Sequence, residues 1–203
     1  MFQKAIKRAL DIVVSLLGLL LLFPLFIIIG ALIKLGSAGP VFFKQQRVGK
    51  DRKLFEIYKF RTMIEGAQNK GKGFLIEKND FRITQLGRFL RKYSLDELPQ
   101  LVNILSGEMS LVGPRPTLKY QVDQYSKRQL LRLKVKPGVT GWAQIHGRNE
   151  LSWPERIEYD IRYIENWSLW LDIKIIYKTA AILLSRKGIY TDDLSKFEIK
   201  GNE

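Results

Sequence analysis

Residues 12–33 carry no charged side chain, are interrupted midway by Pro24, and give way to mixed, strongly basic sequence. As a helix rising about 1.5 Å per residue, the run reaches roughly 33 Å, enough to cross a hydrocarbon core of about 30 Å. Two features oppose a simple crossing. Lys4, Lys7 and Arg8 precede the run and Lys34, Lys44, Arg47 and Lys50 follow it, so the bias of cations toward the cytoplasm holds both ends on one side. Pro24 has no backbone donor and its ring crowds the carbonyl of Leu20, which kinks or breaks a helix. Two arms of about 12 residues, roughly 18 Å each, would enter a bilayer partway and return. Against this re-entrant hairpin stands a kinked crossing helix, because proline is tolerated where neighbouring groups satisfy the freed carbonyl. A cleaved signal peptide fits less well, its apolar region ordinarily being about 7–15 residues.

Beyond residue 37 the pattern shortens. Residues 41–48 and 54–60 are rich in aromatic and branched side chains and flank Gly49-Lys50-Asp51, which predicts a β-hairpin. Residues 64–78, with three glycines and scattered charges, read as a loop. Ile83, Leu86, Phe89 and Leu90 recur at helical spacing over 81–92, and another helix is predicted over about 95–105. Ser152 with Glu155 three residues on, and Pro154 in the first turn, announce a helix running to about Asn166. Ser168 opens a last helix to Lys187, stopped by Gly188. Its polar positions Lys174, Lys178 and Ser185 form a narrow stripe, and Trp167, Trp170 and Tyr177 accompany it, so it is either deeply buried or lies at a membrane interface. The elements make a mixed α/β chain of the α+β kind. Residues 1–37 form a membrane hairpin broken near Pro24, and residues 38–203 form one cytoplasmic domain, large enough for its own core.

A net charge of +14 asks for anionic partners. Membrane lipid, nucleic acid and phosphorylated small molecules all qualify, and the apolar run favours lipid over nucleic acid. No cysteine is present, which removes disulfides and thiolate metal sites. One histidine, His146, makes a zinc site a poor fit, and no nucleophile-elbow pattern supports a serine triad.

The strongest chemical candidate is Ser94-Leu95-Asp96-Glu97-Leu98-Pro99-Gln100-Leu101, two adjacent carboxylates behind the basic Arg88-Phe89-Leu90-Arg91-Lys92. Ser94 and Glu97 match a capping box, and acids suit a helix N-terminus whatever their function. That setting also keeps Asp96 ionised, and an ionised carboxylate beside cations is a nucleophile toward phosphorus. Glu97 is a candidate Mg2+ ligand. In Gly113-Pro114-Arg115-Pro116 the prolines fix the backbone around Arg115, which suits a guanidinium binding phosphate and equally a structural turn. In residues 136–149, three glycines allow close backbone approach and Arg148 adds a charge. Lys59 and Arg61 at the end of the hairpin, and Arg88, are candidate phosphate contacts or solvated cations near headgroups.

In this order the apolar run around Pro24, Tyr58-Lys59-Phe60-Arg61-Thr62-Met63, residues 94–101, Gly107-Glu108-Met109-Ser110-Leu111-Val112-Gly113-Pro114-Arg115-Pro116 and residues 137–149 resemble the bacterial sugar transferase family of small monotopic polyprenyl-phosphate phosphoglycosyltransferases. The resemblance covers nearly the whole chain. It implies transfer of a sugar 1-phosphate from a UDP-sugar to undecaprenyl phosphate with release of UMP. It further implies a ping-pong route through a covalent intermediate on Asp96, Mg2+ on Glu97, and phosphate contacts from Arg115 and Arg148. It also implies a re-entrant rather than a crossing helix, placed monotopically on the cytoplasmic face of the bacterial inner membrane. Phe23 stands where several relatives have serine, so a hydroxyl that assists the break is missing. Two other readings remain: a membrane-anchored, metal-dependent phosphohydrolase, and a non-catalytic basic protein binding lipid or nucleic acid.

Overall fold

The computed structural model describes residues 2–67, 80–147 and 150–185. The first element, α1 (Phe2–Gly36), takes in the whole apolar run with Pro24 inside it. The expected division into two arms therefore does not emerge as two elements: a proline removes one ladder bond, and helical bonding continues on both sides. The middle of α1 is bare, with Leu20 and Leu21 exposed by 64% and 78%.

Both ends of α1 are fastened to the rest of the chain. Lys7 Nζ donates to Val112 O (2.9 Å) and to Asp172 (2.6 Å). Arg8 donates to Ile104 O (2.6 Å) and Leu105 O (2.9 Å). Asp11, buried, accepts from Ser110 Oγ (3.1 Å) and Leu111 N (2.9 Å). At the other end Ile29 and Ile33 join Phe60 and Leu90 in a buried cluster with Leu25 and Phe26 at its margin. Arg61 donates to Ile33 O, Ser37 O and Ala38 O, satisfying carbonyls left over where α1 ends.

The hairpin forms as expected: β1 (Phe42–Val48) pairs antiparallel with β2 (Leu54–Phe60), in register from Phe42 opposite Phe60 to Val48 opposite Leu54. Helix α2 (Gln85–Lys92) starts later than predicted, because the Thr84 side chain accepts from Gly87 N and caps it there. Ile83 instead bridges to Met63. The predicted helix over 95–105 is two pieces, a single 3₁₀ turn (Leu95–Glu97) and α3 (Gln100–Leu105), with Pro99 between them. Of residues 64–78, those from 68 onward lie outside the described residues.

A second small sheet pairs β3 (Ser110–Val112) in parallel with β4 (Gly138–Thr140), two short helices, α4 (Lys119–Val122) and α5 (Trp142–Ile145), lying on either side of β4 in sequence. Helix α6 (Trp153–Glu165) opens with the expected capping box, Glu155 accepting from both the amide and the hydroxyl of Ser152 at 2.7 Å. The last helix, α7 (Leu169–Ser185), buries Asp172 and Ile175 and exposes Trp170, Ile173, Ile176 and Tyr177. It is not deeply buried, and its apolar outer face is left exposed. Its predicted end at Lys187 and Gly188 lies outside the described residues.

The two short strands can approach because they carry glycine. A Cβ on Gly113 would lie 2.4 Å from Lys136 O and 2.9 Å from Gly138 N, both immovable backbone. Gly113→Ala should therefore cost more than about 2 kcal/mol, the strain of forcing the strands apart, read as a lowered melting temperature; an unchanged one would show that the contact relaxes freely.

Candidate active site

The acidic pair sits in the turn between α2 and α3. Ser94 adopts φ +54°, the left-handed region, uncommon for a residue other than glycine. The expected capping box is absent for that reason: an N-cap needs extended backbone, and the Ser94 side chain makes no cap bond. The turn instead buries Asp96, 8% exposed, and sends Glu97 toward β2 and the Pro-Arg-Pro segment.

Glu97 is clamped. Its Oε1 accepts from Lys59 Nζ (2.7 Å) and from Arg115 Nη2, while Oε2 accepts from Arg115 Nη1 (3.2 Å). Burial alone would raise its pKa, but the charges of Arg115 and Lys59 outweigh burial and hold it well below the usual carboxylate range. Asp96 is shifted the other way. Burial pushes it up, with the Glu97 charge adding to this, and the through-space pull of Lys59, Arg91 and Arg115 does not reverse it. The two adjacent carboxylates are thus shifted in opposite directions, Glu97 toward the anion and Asp96 toward the protonated form. Such separation marks functional carboxylate pairs.

Of the cations expected here, Lys59 and Arg115 converge on Glu97. Arg61 does not join them; its bonds go to the end of α1. Arg88 is exposed on α2. Arg148, with Asn149, lies outside the described residues. His146 packs locally, its Nδ1 bonded to Trp142 O (2.7 Å) and its ring stacked on Tyr159 with centroids 4.9 Å apart.

Three groups were not singled out from sequence. Arg91, held by Thr62 Oγ1 (2.8 Å), acts electrostatically on Asp96. Arg47 lies on β1 within the electrostatic reach of Arg115 and Glu97. Hairpin alternation is the signal that could have found it, since the register puts Arg47 on the same face as Phe55, Ile57 and Lys59. Arg132, buried, donates to Arg115 O (3.1 Å) and to Asp160, and so supports the Arg115 backbone from behind.

A buried carboxylate thus lies among converging cations, in a turn that packs against the apolar α1. Residues 2–186 match the model of the bacterial sugar transferases, and the chain belongs to that family. It is 44% identical over 184 residues to the uncharacterized sugar transferase EpsL of Bacillus subtilis (strain 168), covering 91% of this chain and 90% of that protein. It is 48% identical over 198 residues to the UDP-glucose:undecaprenyl-phosphate glucose-1-phosphate transferase of Escherichia coli (strain K12). It is 43% identical over 202 residues to the undecaprenyl-phosphate galactose phosphotransferase of Salmonella typhimurium. Each of these last two alignments takes in 93% of this chain but 42% of the longer relative.

The opposed shifts can be seen directly by titrating carbon-13-labelled carboxylates in the substrate-free protein. Asp96 should take up its proton at a pH above the ordinary aspartate value of about 3.9, while Glu97 stays ionised well below its ordinary value of about 4.3. As pH falls the ionised form of Asp96 is therefore lost first. Coincident midpoints for the two groups would refute the separation.

Proposed function

We propose that the protein transfers a sugar 1-phosphate from a UDP-sugar to undecaprenyl phosphate, releasing UMP and leaving an undecaprenyl diphosphosugar, as the first membrane step of a bacterial glycan. The observation that carries this reading is the pairing of buried Asp96 with Glu97, the latter held ionised between Lys59 and Arg115. The names of the E. coli and Salmonella relatives support the lipid acceptor, and the former supports a UDP-sugar donor.

In this reading an Asp96 oxygen attacks the sugar-bearing phosphorus. The bond from that phosphorus to the nucleotide phosphate oxygen breaks, UMP departs, and an aspartyl phosphosugar remains. A phosphate oxygen of undecaprenyl phosphate then attacks the same phosphorus, the acyl-phosphate bond breaks, and Asp96 returns as a carboxylate. Lys59 and Arg115 stand close enough to turn from Glu97 onto the incoming diphosphate and offset its charge. Because both displacements occur at one phosphorus, one site serves both substrates and the kinetics are ping-pong.

The donor set also suits Mg2+. Glu97 offers an ionised oxygen ligand beside Asp96, and no group of three or more acidic or histidine side chains converges among the described residues. That matches an ion that takes one or two carboxylates and draws its remaining oxygens from phosphate and water. Bound there, Mg2+ would neutralise diphosphate charge and polarise the phosphoryl group.

The re-entrant placement of α1 belongs to the same proposal, with residues 1–37 as the membrane element and 38–203 as the catalytic domain on the cytoplasmic face. Lys7 and Arg8 bond Val112, Asp172, Ile104 and Leu105, while Ile33 packs near Phe60. A straight crossing would carry one end of α1 roughly 30 Å away across the hydrocarbon and break those contacts. The exposed apolar face of α7 supports the same depth.

Two experiments test this. The purified chain with undecaprenyl phosphate, Mg2+ and a panel of UDP-sugars should release UMP. Asp96→Asn should reduce that release by about 10³-fold or more, the scale seen when a nucleophile is removed, and should lose the covalent adduct by mass spectrometry. Undiminished turnover by the pure variant would rule out Asp96 as nucleophile, and free sugar phosphate formed without lipid would point to hydrolysis. For topology, single cysteines placed near residues 3 and 40 should react from the same face with an impermeant reagent in oriented vesicles. Labelling from opposite faces would defeat the hairpin.

A further inference from the structure

Buried arginines in this protein are matched. Arg82 sits on Asp80 (2.6 Å), Arg132 on Asp160, and Arg61 on the carbonyls that end α1. Arg47 breaks the pattern. It is half-buried at the end of β1, where its Nη2 donates to the neutral Gln45 side chain and no carboxylate bonds it among the described residues; its Nε is buried with no partner, as are those of Arg61 and Arg132.

Its neighbours make this more costly. The next residue, Val48, donates to Thr117 O (2.9 Å) and so staples β1 beside the Arg115-Pro116-Thr117 segment. Burial and the adjacent Arg115 charge bring Arg47 down to about 10, against a partial offset from Glu97 and Tyr120. Arg156, over the Trp153 ring at 5.8 Å, is likewise brought down to about 10 by burial and by Arg115 and Arg132. Lys59, Arg91, Arg47 and Arg115 thus face two carboxylates, Asp96 and Glu97. A fold gains little from an arginine held against another arginine with only the partial offset of Glu97, whose oxygens are taken by Lys59 and Arg115. An anion-binding site gains more, because the ligand supplies the missing charge and the fork receives it with two parallel bonds.

We propose that Arg47 and Arg115 form the seat of the exchanging phosphate, holding the phosphate of UMP as it leaves and that of the lipid acceptor as it enters. This deepens the transfer reading and rests on it. In successive displacements at one phosphorus, the entering oxygen takes the place the leaving oxygen vacated. The two phosphates therefore need one seat rather than two, and that seat should be distinct from the Lys59 side of Glu97. Both ligands share a phosphate monoester, which is the chemistry a paired arginine fork recognises.

UMP is the probe. Its binding to the full chain in lipid nanodiscs, measured by titration calorimetry, should weaken about tenfold or more in Arg47→Gln, the scale of one charge-assisted bond. Arg47→Lys should recover part of it. Because no carboxylate bonds Arg47 among the described residues, Arg47→Gln should melt at the same temperature as the parent or higher, an outcome a structural arginine would not give. Unchanged UMP affinity in Arg47→Gln overturns the proposal, as does an affinity loss that merely tracks a lowered melting temperature in both variants. If the parent releases UMP from UDP-sugars while Arg47→Gln binds UMP as well as the parent, the transfer reading stands and the seat falls. If the parent neither releases nor binds UMP, both fall.

Discussion

The grip of Lys59 and Arg115 on Glu97 joins three segments that are far apart in sequence: the end of β2, the 3₁₀ turn before α3, and the Gly-Pro-Arg-Pro connection after β3. Arg115 is 46% exposed, so water screens its pairing and the net stabilisation is small. The clamp therefore fixes geometry more than it adds stability. It continues backwards, since Arg132 holds Arg115 by its backbone carbonyl and is itself neutralised by Asp160 on α6. A line of charge runs from the turn that carries Asp96 to a helix on the other side of the second sheet. Along it, each cation has a reason to sit where it does before any substrate arrives.

Much of this frame was legible in the sequence. The hairpin was readable because strand alternation and a Gly-containing turn are local signals, and α6 because Ser152, Pro154 and Glu155 act within one turn. The Asp96-Glu97 pair and Arg115 were legible as candidates from composition and backbone rigidity. Their meeting was not, for it depends on the fold of segments that sequence separation does not relate. The Ser94 capping box misled because the same residues satisfy a local rule that a left-handed backbone overrides.

Arg61 and Arg47 show the same limit from two sides. Arg61 stands two residues after Lys59 and looked equally suited to phosphate, yet β2 stops at Phe60 and α1 ends beside Arg61, offering it carbonyls. Arg47 looked like one more flanking cation of a basic chain. Only its burial, its neutral neighbour and the nearby Arg115 distinguish it, and those are properties of packing.

The ties at both ends of α1 change what kind of object that helix is. Arg8 caps α3, Asp11 satisfies the amide of Leu111, and Ile29 and Ile33 complete the cluster around Phe60 and Leu90. A chain trimmed of its first 36 residues would leave α3 without that cap, strip one wall from a core, and take the Ile33 carbonyl from Arg61. The apolar helix is thus not a leash by which a self-sufficient enzyme is moored. It is a wall of the enzyme, and its apolar outer face is what that wall leaves bare.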